Sequence, residues 1–267
     1  MEKPALVASD IDGTILGTNE QVSSHTADVV GRVLANGIPF VLVSGRPPRW
    51  MPRIANAVGA TGYAVCANGA VLYDVAEDRV IWQRGLSPVR LGDLGSALAT
   101  AIPGSAVAAE RVGARASDIE SFIAEEEYRH AWPDGHDVAS RAEVLGYPAV
   151  KLLVRHQGMT SGEMAAAATA VLGDEFAITY STNAGLIEVS ERGVTKATGL
   201  ADVAERLGVA AADVIAFGDM PNDIPMLQWV GHGVAMANGH PELLEVADEV
   251  TGTNDENGVA QVLERWF

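Results

Sequence analysis

The chain holds a single cysteine, Cys66, among 267 residues. No internal disulfide can form, and the apolar neighbours Ala64, Val65 and Ala67 fit a core thiol in a reducing cytosol better than a stapled secreted fold. Basic residues are scarce: Lys and Arg number 18 against 35 Asp and Glu, a formal charge of −17. Such a chain is repelled by nucleic-acid backbones and anionic membranes, so neither is an expected partner, and a small anionic substrate needs locally placed cations. Long apolar runs are also missing. No stretch approaches the roughly 20 residues that cross a bilayer, and Met1-Glu2-Lys3-Pro4 has no signal-peptide pattern. The expected setting is soluble and cytoplasmic. Internal repeats and low-complexity tracts are absent as well, while 48% hydrophobic content is enough for a substantial core.

What is present is a succession of apolar runs that end in chemically useful residues. Ala5-Leu6-Val7-Ala8 runs directly into Asp10-Ile11-Asp12-Gly13-Thr14, which places two carboxylates where a buried strand should end. Strand alternation is expected to send Asp10 and Asp12 to the same side. Ser23-Ser24 then caps a helical segment with Ala27, Val30, Val33 and Leu34 on one face, closing at Asn36-Gly37. A second apolar run at 38–43 ends in Ser44-Gly45-Arg46, so strand, helix and strand form a right-handed parallel crossover. A proline-marked helix at 48–58, a strand at 63–67 ending in Asn68-Gly69, and hairpin strands at 70–73 and 80–83 follow. The pattern stops near Gly85 and resumes after Ile187. Between them lie helices at 89–101 and 161–172 and a strand at 149–155. The expected fold is α/β: a doubly wound, Rossmann-like parallel sheet core of residues 1–84 and 188–267, with an inserted α/β cap at 85–187.

The resumed half supplies a second acidic pair. Val214-Ile215-Ala216-Phe217 reads as a buried strand and leads into Gly218-Asp219-Met220-Pro221-Asn222-Asp223, after a helix at 201–207. Parallel strands open their carboxyl ends onto one crevice, so Asp10, Asp12, Asp219 and Asp223 are expected to converge there. Four carboxylates together repel one another unless a cation holds them, and oxygen ligands of this kind suit Mg²⁺. Read singly, each residue has a plainer alternative. Ser44 serves as a turn residue, Asn222 as a helix cap, Asp223 as a first-turn acid and Lys196 as an ordinary helix-start lysine.

Taken in order, Asp10-Ile11-Asp12-Gly13-Thr14, Ser44, Lys196, and Gly218-Asp219 with Asn222-Asp223 resemble the four motifs of the haloacid dehalogenase superfamily. Asn68-Gly69-Ala70, the stretch from Ile187 to Lys196, and the run from Gly233 through Asn238 to Gly258-Val259 are similar to its Cof-type phosphatase subfamily, which carries a large α/β cap. The likeness is weakest in the insertion, where Val150-Lys151-Leu152-Leu153 alone resembles the family's cap strand. The resemblance implies that Asp10 attacks phosphorus to form an aspartyl phosphate, with Asp12 as general acid and then base. It also implies Mg²⁺ held by Asp10, the backbone carbonyl of Asp12 and Asp219, with Asp223 nearby. Ser44 and Asn222 would bind phosphoryl oxygens and Lys196 would offset charge around Asp10. Gly45 and Arg46 are expected at the substrate, Arg46 with a salt bridge as its alternative role. An acid at position 12 separates the chain from carbon–halogen-cleaving members. The expected activity is a Mg²⁺-dependent phosphatase acting on a small phosphorylated metabolite such as a sugar phosphate. The alternatives are a phosphomutase or phosphotransferase of the same superfamily, and a non-hydrolytic phosphoacceptor or sensor. The cap is expected to choose the leaving group, with Arg111, Arg115, His130, Arg155 and His156 as candidates weighed against plain solvated surface.

Overall fold

The computed structural model describes residues 2–118, 122–128 and 137–267. They form two compact units, one of residues up to Trp82 together with Thr195–Phe267, the other of Gln83–Val194. Among the described residues, no helix is long and apolar enough to cross a membrane.

The first unit is built on an eight-stranded sheet. From one edge the strands are Glu249–Thr251, His232–Met236, Val214–Gly218, Leu6–Ser9, Phe40–Val43, Tyr63–Cys66, Val71–Asp74 and Arg79–Gln83. The first six run parallel, with Val7 level with Ile215 on one side and Phe40 on the other. Val71–Asp74 turns back antiparallel to Tyr63–Cys66. The central strands are buried throughout, which is why they read as unbroken apolar runs rather than alternating ones. Leu6, Ala8, Val41, Val43, Val214 and Ala216 on one face pack against Leu200, Val203 and Ala204 of the helix Lys196–Leu207.

The flanking helices carry the expected stop signals. The helix Ser24–Ala35 begins where the Ser23 hydroxyl accepts the Thr26 amide at 3.0 Å and ends before Gly37 at φ +75°. It buries Thr26, Val29, Val30 and Val33. Leu6–Ser9 lies between the strand that follows it in sequence and Val214–Gly218, so the winding direction reverses there. Such a switch point opens a crevice at the carboxyl ends of two neighbouring strands.

The second unit has a six-stranded sheet in the order Phe176–Thr179, Leu186–Glu191, Lys151–Arg155, Ala106–Glu110, Ile123–Ala124, Asp137–Val138. Its first five strands pair antiparallel. Alternation gives one apolar face, where Val107, Leu152, Val154, Ile187 and Val189 pack against Leu91, Leu94, Leu98 and Met164 of the helices Pro88–Ala101 and Ser161–Leu172. The opposite side chains of the same strands include Glu110, Lys151, Glu188 and Ser190, all buried, with Lys151 Nζ 3.1 Å from Glu188 Oε1. The expected return to the core at residue 188 falls inside Leu186–Glu191. That strand pairs on both sides within the second unit, so the division comes at Val194 instead.

Candidate active site

Two strand ends meet at the switch point. Asp10 follows Leu6–Ser9, its amide donating to Phe217 O at 2.9 Å, and Asp219 follows Val214–Gly218. Gly13 makes the approach possible. It sits at φ +73°, and a Cβ there would stand 2.1 Å from Asp219 Oδ2. Thr14 Oγ1 donates to Asp219 Oδ1 at 3.1 Å and fixes that carboxylate from the first loop.

Asp223, in the short turn Pro221–Asp223, is fully buried and has both oxygens engaged. Its Oδ2 accepts the amides of Asp219 and Met220, each at 3.1 Å, while Oδ1 accepts from Lys196 Nζ at 2.7 Å. Lys196 opens the helix capped by Thr195, and its ammonium also reaches Asp10 Oδ1 at 2.6 Å. One oxygen each from Asp10, Asp219 and Asp223 lies within 4.8 Å of the others.

The energetics follow from three buried acids sharing one cation. Burial would lower Lys196, but the charges of Asp10 and Asp223 outweigh it and hold the ammonium above its usual range. Burial raises Asp10 well above an ordinary carboxylate; Lys196 opposes the rise, and Asp223, Asp219 and Asp12 add to it. Burial and the Asp223 charge push Asp219 up to about 7. With all three ionised, one lysine leaves two negative charges uncompensated. A hard divalent cation fits this donor set: closely spaced carboxylate oxygens and no soft ligand among them.

Asp12 does not join the carboxylate cluster as expected. The strand stops at Ser9, and Asp12 lies in the turn Ile11–Ile15 at φ −76°, ψ 124°, so strand alternation no longer sets its direction. Its side chain is 52% exposed. Arg46 forks onto it, Nε to Oδ2 at 2.8 Å and Nη2 to Oδ1. The salt-bridge role weighed for Arg46 is therefore the one the geometry displays. Ser44 is buried at the end of Phe40–Val43, its hydroxyl accepting the Arg46 amide at 3.1 Å. A Cβ on the adjacent Gly45 would come within 3.1 Å of Asn68 Oδ1. Asn222 is buried beside Asp223 and donates from Nδ2 to the same Asn68 oxygen at 3.1 Å.

Three contributors carried no individual role in the sequence reading: Thr14, Asn68, and Asn238, whose Nδ2 donates to Gly13 O at 2.8 Å. Only Thr14 lies within a local acidic motif. The pairings of the other two cross 154 and 225 residues. Of the substrate candidates in the second unit, Arg111 donates to the carbonyls of Glu143 and Val144 and stacks on Tyr147, which gives it a structural task. His156 Nδ1 accepts the Gly158 amide, and the Arg115 amide donates to Asp118. Arg155 ends its strand half-buried, and His130 lies outside the described residues.

This geometry, acids from two strand ends tied by one lysine, coincides with a match to a family model described as haloacid dehalogenase-like hydrolase, over residues 7–263. The chain belongs to that family. As a haloacid dehalogenase-like hydrolase it is an enzyme, and its relatives are consistent with this. It is 28% identical to the 5-amino-6-(5-phospho-D-ribitylamino)uracil phosphatase YitU of Bacillus subtilis, over 99% of this chain and 98% of the other. It is equally 28% identical to a phosphoglycolate phosphatase of Archaeoglobus fulgidus, over 99% and 97%. The solved structure of BT1666 from Bacteroides thetaiotaomicron, a phosphatase of the haloalkanoate superfamily, superposes with TM-score 0.79 at 25% identity, covering 97% of this chain and 94% of that one. A subclass IIB sugar phosphatase, BT4131, shares the fold at TM-score 0.81, 19% identity and 98% coverage of both chains.

Proposed function

We propose that this hydrolase cleaves small phosphate monoesters with Mg²⁺ at the Asp10–Asp219–Asp223 cluster. The reading rests above all on Lys196 Nζ standing 2.6 Å from Asp10 and 2.7 Å from Asp223, inside a group of carboxylate oxygens no more than 4.8 Å apart. Asp10 is the nucleophile: Lys196 occupies Oδ1, and Oδ2 attacks phosphorus as the ester P–O bond breaks. Asp12 supplies the proton to the departing alkoxide, exchanging its contact with Arg46 for the leaving-group oxygen. It then takes a proton from the water that hydrolyses the aspartyl phosphate, which returns Asp10 and inorganic phosphate. Ser44, Gly45 and Asn222 surround the phosphoryl oxygens, and Arg46 adds positive charge at the same rim. Side-chain oxygens of Asp10 and Asp219 and the backbone carbonyl of Asp12 would hold Mg²⁺, with Asp223 beside them. The ion would offset the charge that builds on the phosphoryl group.

The substrate is a small phosphorylated metabolite, with sugar phosphates the leading class. The names of relatives support this range, spanning a phosphoribityl compound, phosphoglycolate and sugar phosphates. A cytoplasmic setting belongs to the same proposal and accords with the single buried thiol, which burial keeps protonated by raising its pKa.

p-Nitrophenyl phosphate tests the chemistry. Turnover requires Mg²⁺ and stops with EDTA, and Asp10→Asn lowers kcat by on the order of 10⁴-fold. An Asp10→Asn protein with wild-type rate and the same metal requirement would refute the nucleophile assignment.

A further inference from the structure

Ala67, Asn68 and Gly69 lie in succession at φ +50°, +56° and +98°, inside a short turn at the end of Tyr63–Cys66. Two of the three carry side chains, whose Cβ crowds the following carbonyl oxygen in this left-handed conformation. Backbone of this kind persists only where its surroundings over-determine it. Here they do so from three directions. The Ala67 amide donates to Arg46 O and the Asn68 amide to Ser44 O, each at 2.9 Å, which ties the turn to the Ser44-Gly45-Arg46 loop. Gly69 abuts the start of the Lys196 helix so closely that a Cβ would stand 1.9 Å from Thr195 O. Asn68 Oδ1 accepts from Asn222 Nδ2 at 3.1 Å, with both residues buried.

The Asn222 amide is anchored at one end only. Its Oδ1, an acceptor, is buried with no hydrogen-bond partner, so the amide is held through Nδ2 alone, and the second N–H of Nδ2 is the donor left for a phosphoryl oxygen. We infer that Asn68 is a positioning residue: its strained turn holds the Asn222 amide, and through it the donor offered to the phosphoryl group, in register with Ser44 and Lys196. The inference rests on the phosphatase reading above and deepens it. Asn68 acts through Asn222, with no substrate contact of its own.

A double-mutant cycle tests it, using Asn68→Gly, Asn222→Ala and the double variant. Glycine keeps the left-handed backbone and removes only the amide. With p-nitrophenyl phosphate and Mg²⁺, Asn222→Ala lowers kcat/KM by about 100-fold and Asn68→Gly by about tenfold. The double variant is then no slower than Asn222→Ala, and inhibition by inorganic phosphate weakens in step in all three. A double variant slowed by the product of the single effects, or Asn68→Gly at the wild-type rate, overturns the inference. Asn222→Ala at the wild-type rate would instead remove Asn222 from the phosphoryl site and overturn both. Asn68→Ser supplies a second route if Asn68→Gly unfolds: its shorter side chain also withdraws the acceptor from Asn222 Nδ2, so its effect must likewise vanish in the Asn222→Ala background.

Discussion

Gly13 shows how tightly single residues are constrained at the switch point. Any side chain there meets Asp219 Oδ2 at 2.1 Å and must also accept φ +73°. Gly13→Ala should destabilise the fold by on the order of 1–3 kcal/mol from backbone strain alone. By displacing Asp219 it should also weaken Mg²⁺ binding, measured by calorimetric titration; unchanged affinity would show that the Asp219 position is not needed for the ion. At this scale the sequence was readable where chemistry coincides with a strand end, as for Asp10 and Asp219. Asp12 lies three residues past the strand, in a turn where Gly13 reverses the chain and Arg46 holds the side chain, so the alternation rule does not set its direction. Asn68 and Asn222 could not be paired beforehand, because no local periodicity encodes a contact across 154 residues.

Elements were more legible than contacts. Apolar runs, caps and glycine stops located the Ser24–Ala35, Ser161–Leu172 and Lys196–Leu207 helices and the central strands, since those signals are local. The return from the insertion was placed too early because Ile187-Glu188-Val189 looks the same whichever sheet it joins. The same strand carries half of a buried ion pair, Glu188 with Lys151 at 3.1 Å. Lys151→Met leaves Glu188 without that partner in a buried site and should cost about 3–5 kcal/mol by urea unfolding. Adding Glu188→Leu should recover part of the loss. Strict additivity of the two single losses would mean that the pair is not coupled.

The whole molecule carries a formal charge of −17 and gathers three of its acids around one lysine, so its stability should depend on pH and metal together. An unfolded aspartate titrates near 3.8, whereas Asp219 in the fold titrates at about 7. Between these values Asp219 keeps its proton in the metal-free native state and loses it in the unfolded chain, so the stability this group contributes falls as pH rises from about 4 to 7 and then levels. Mg²⁺ favours the ionised form, and its stabilising effect should be larger at pH 8 than at pH 5, by on the order of a few degrees in Tm. An equal shift at both pH values would place the ion elsewhere. The central claim is that Asp10 takes the phosphoryl group, and Asp12→Asn tests it most directly with p-nitrophenyl phosphate, whose leaving group needs no proton. The expected result is a burst of one equivalent of p-nitrophenolate, with slow turnover after it and borohydride-trapped label found by mass spectrometry at Asp10. A label on another residue, or Mg²⁺-dependent turnover with no burst and no label on Asp10, would contradict it.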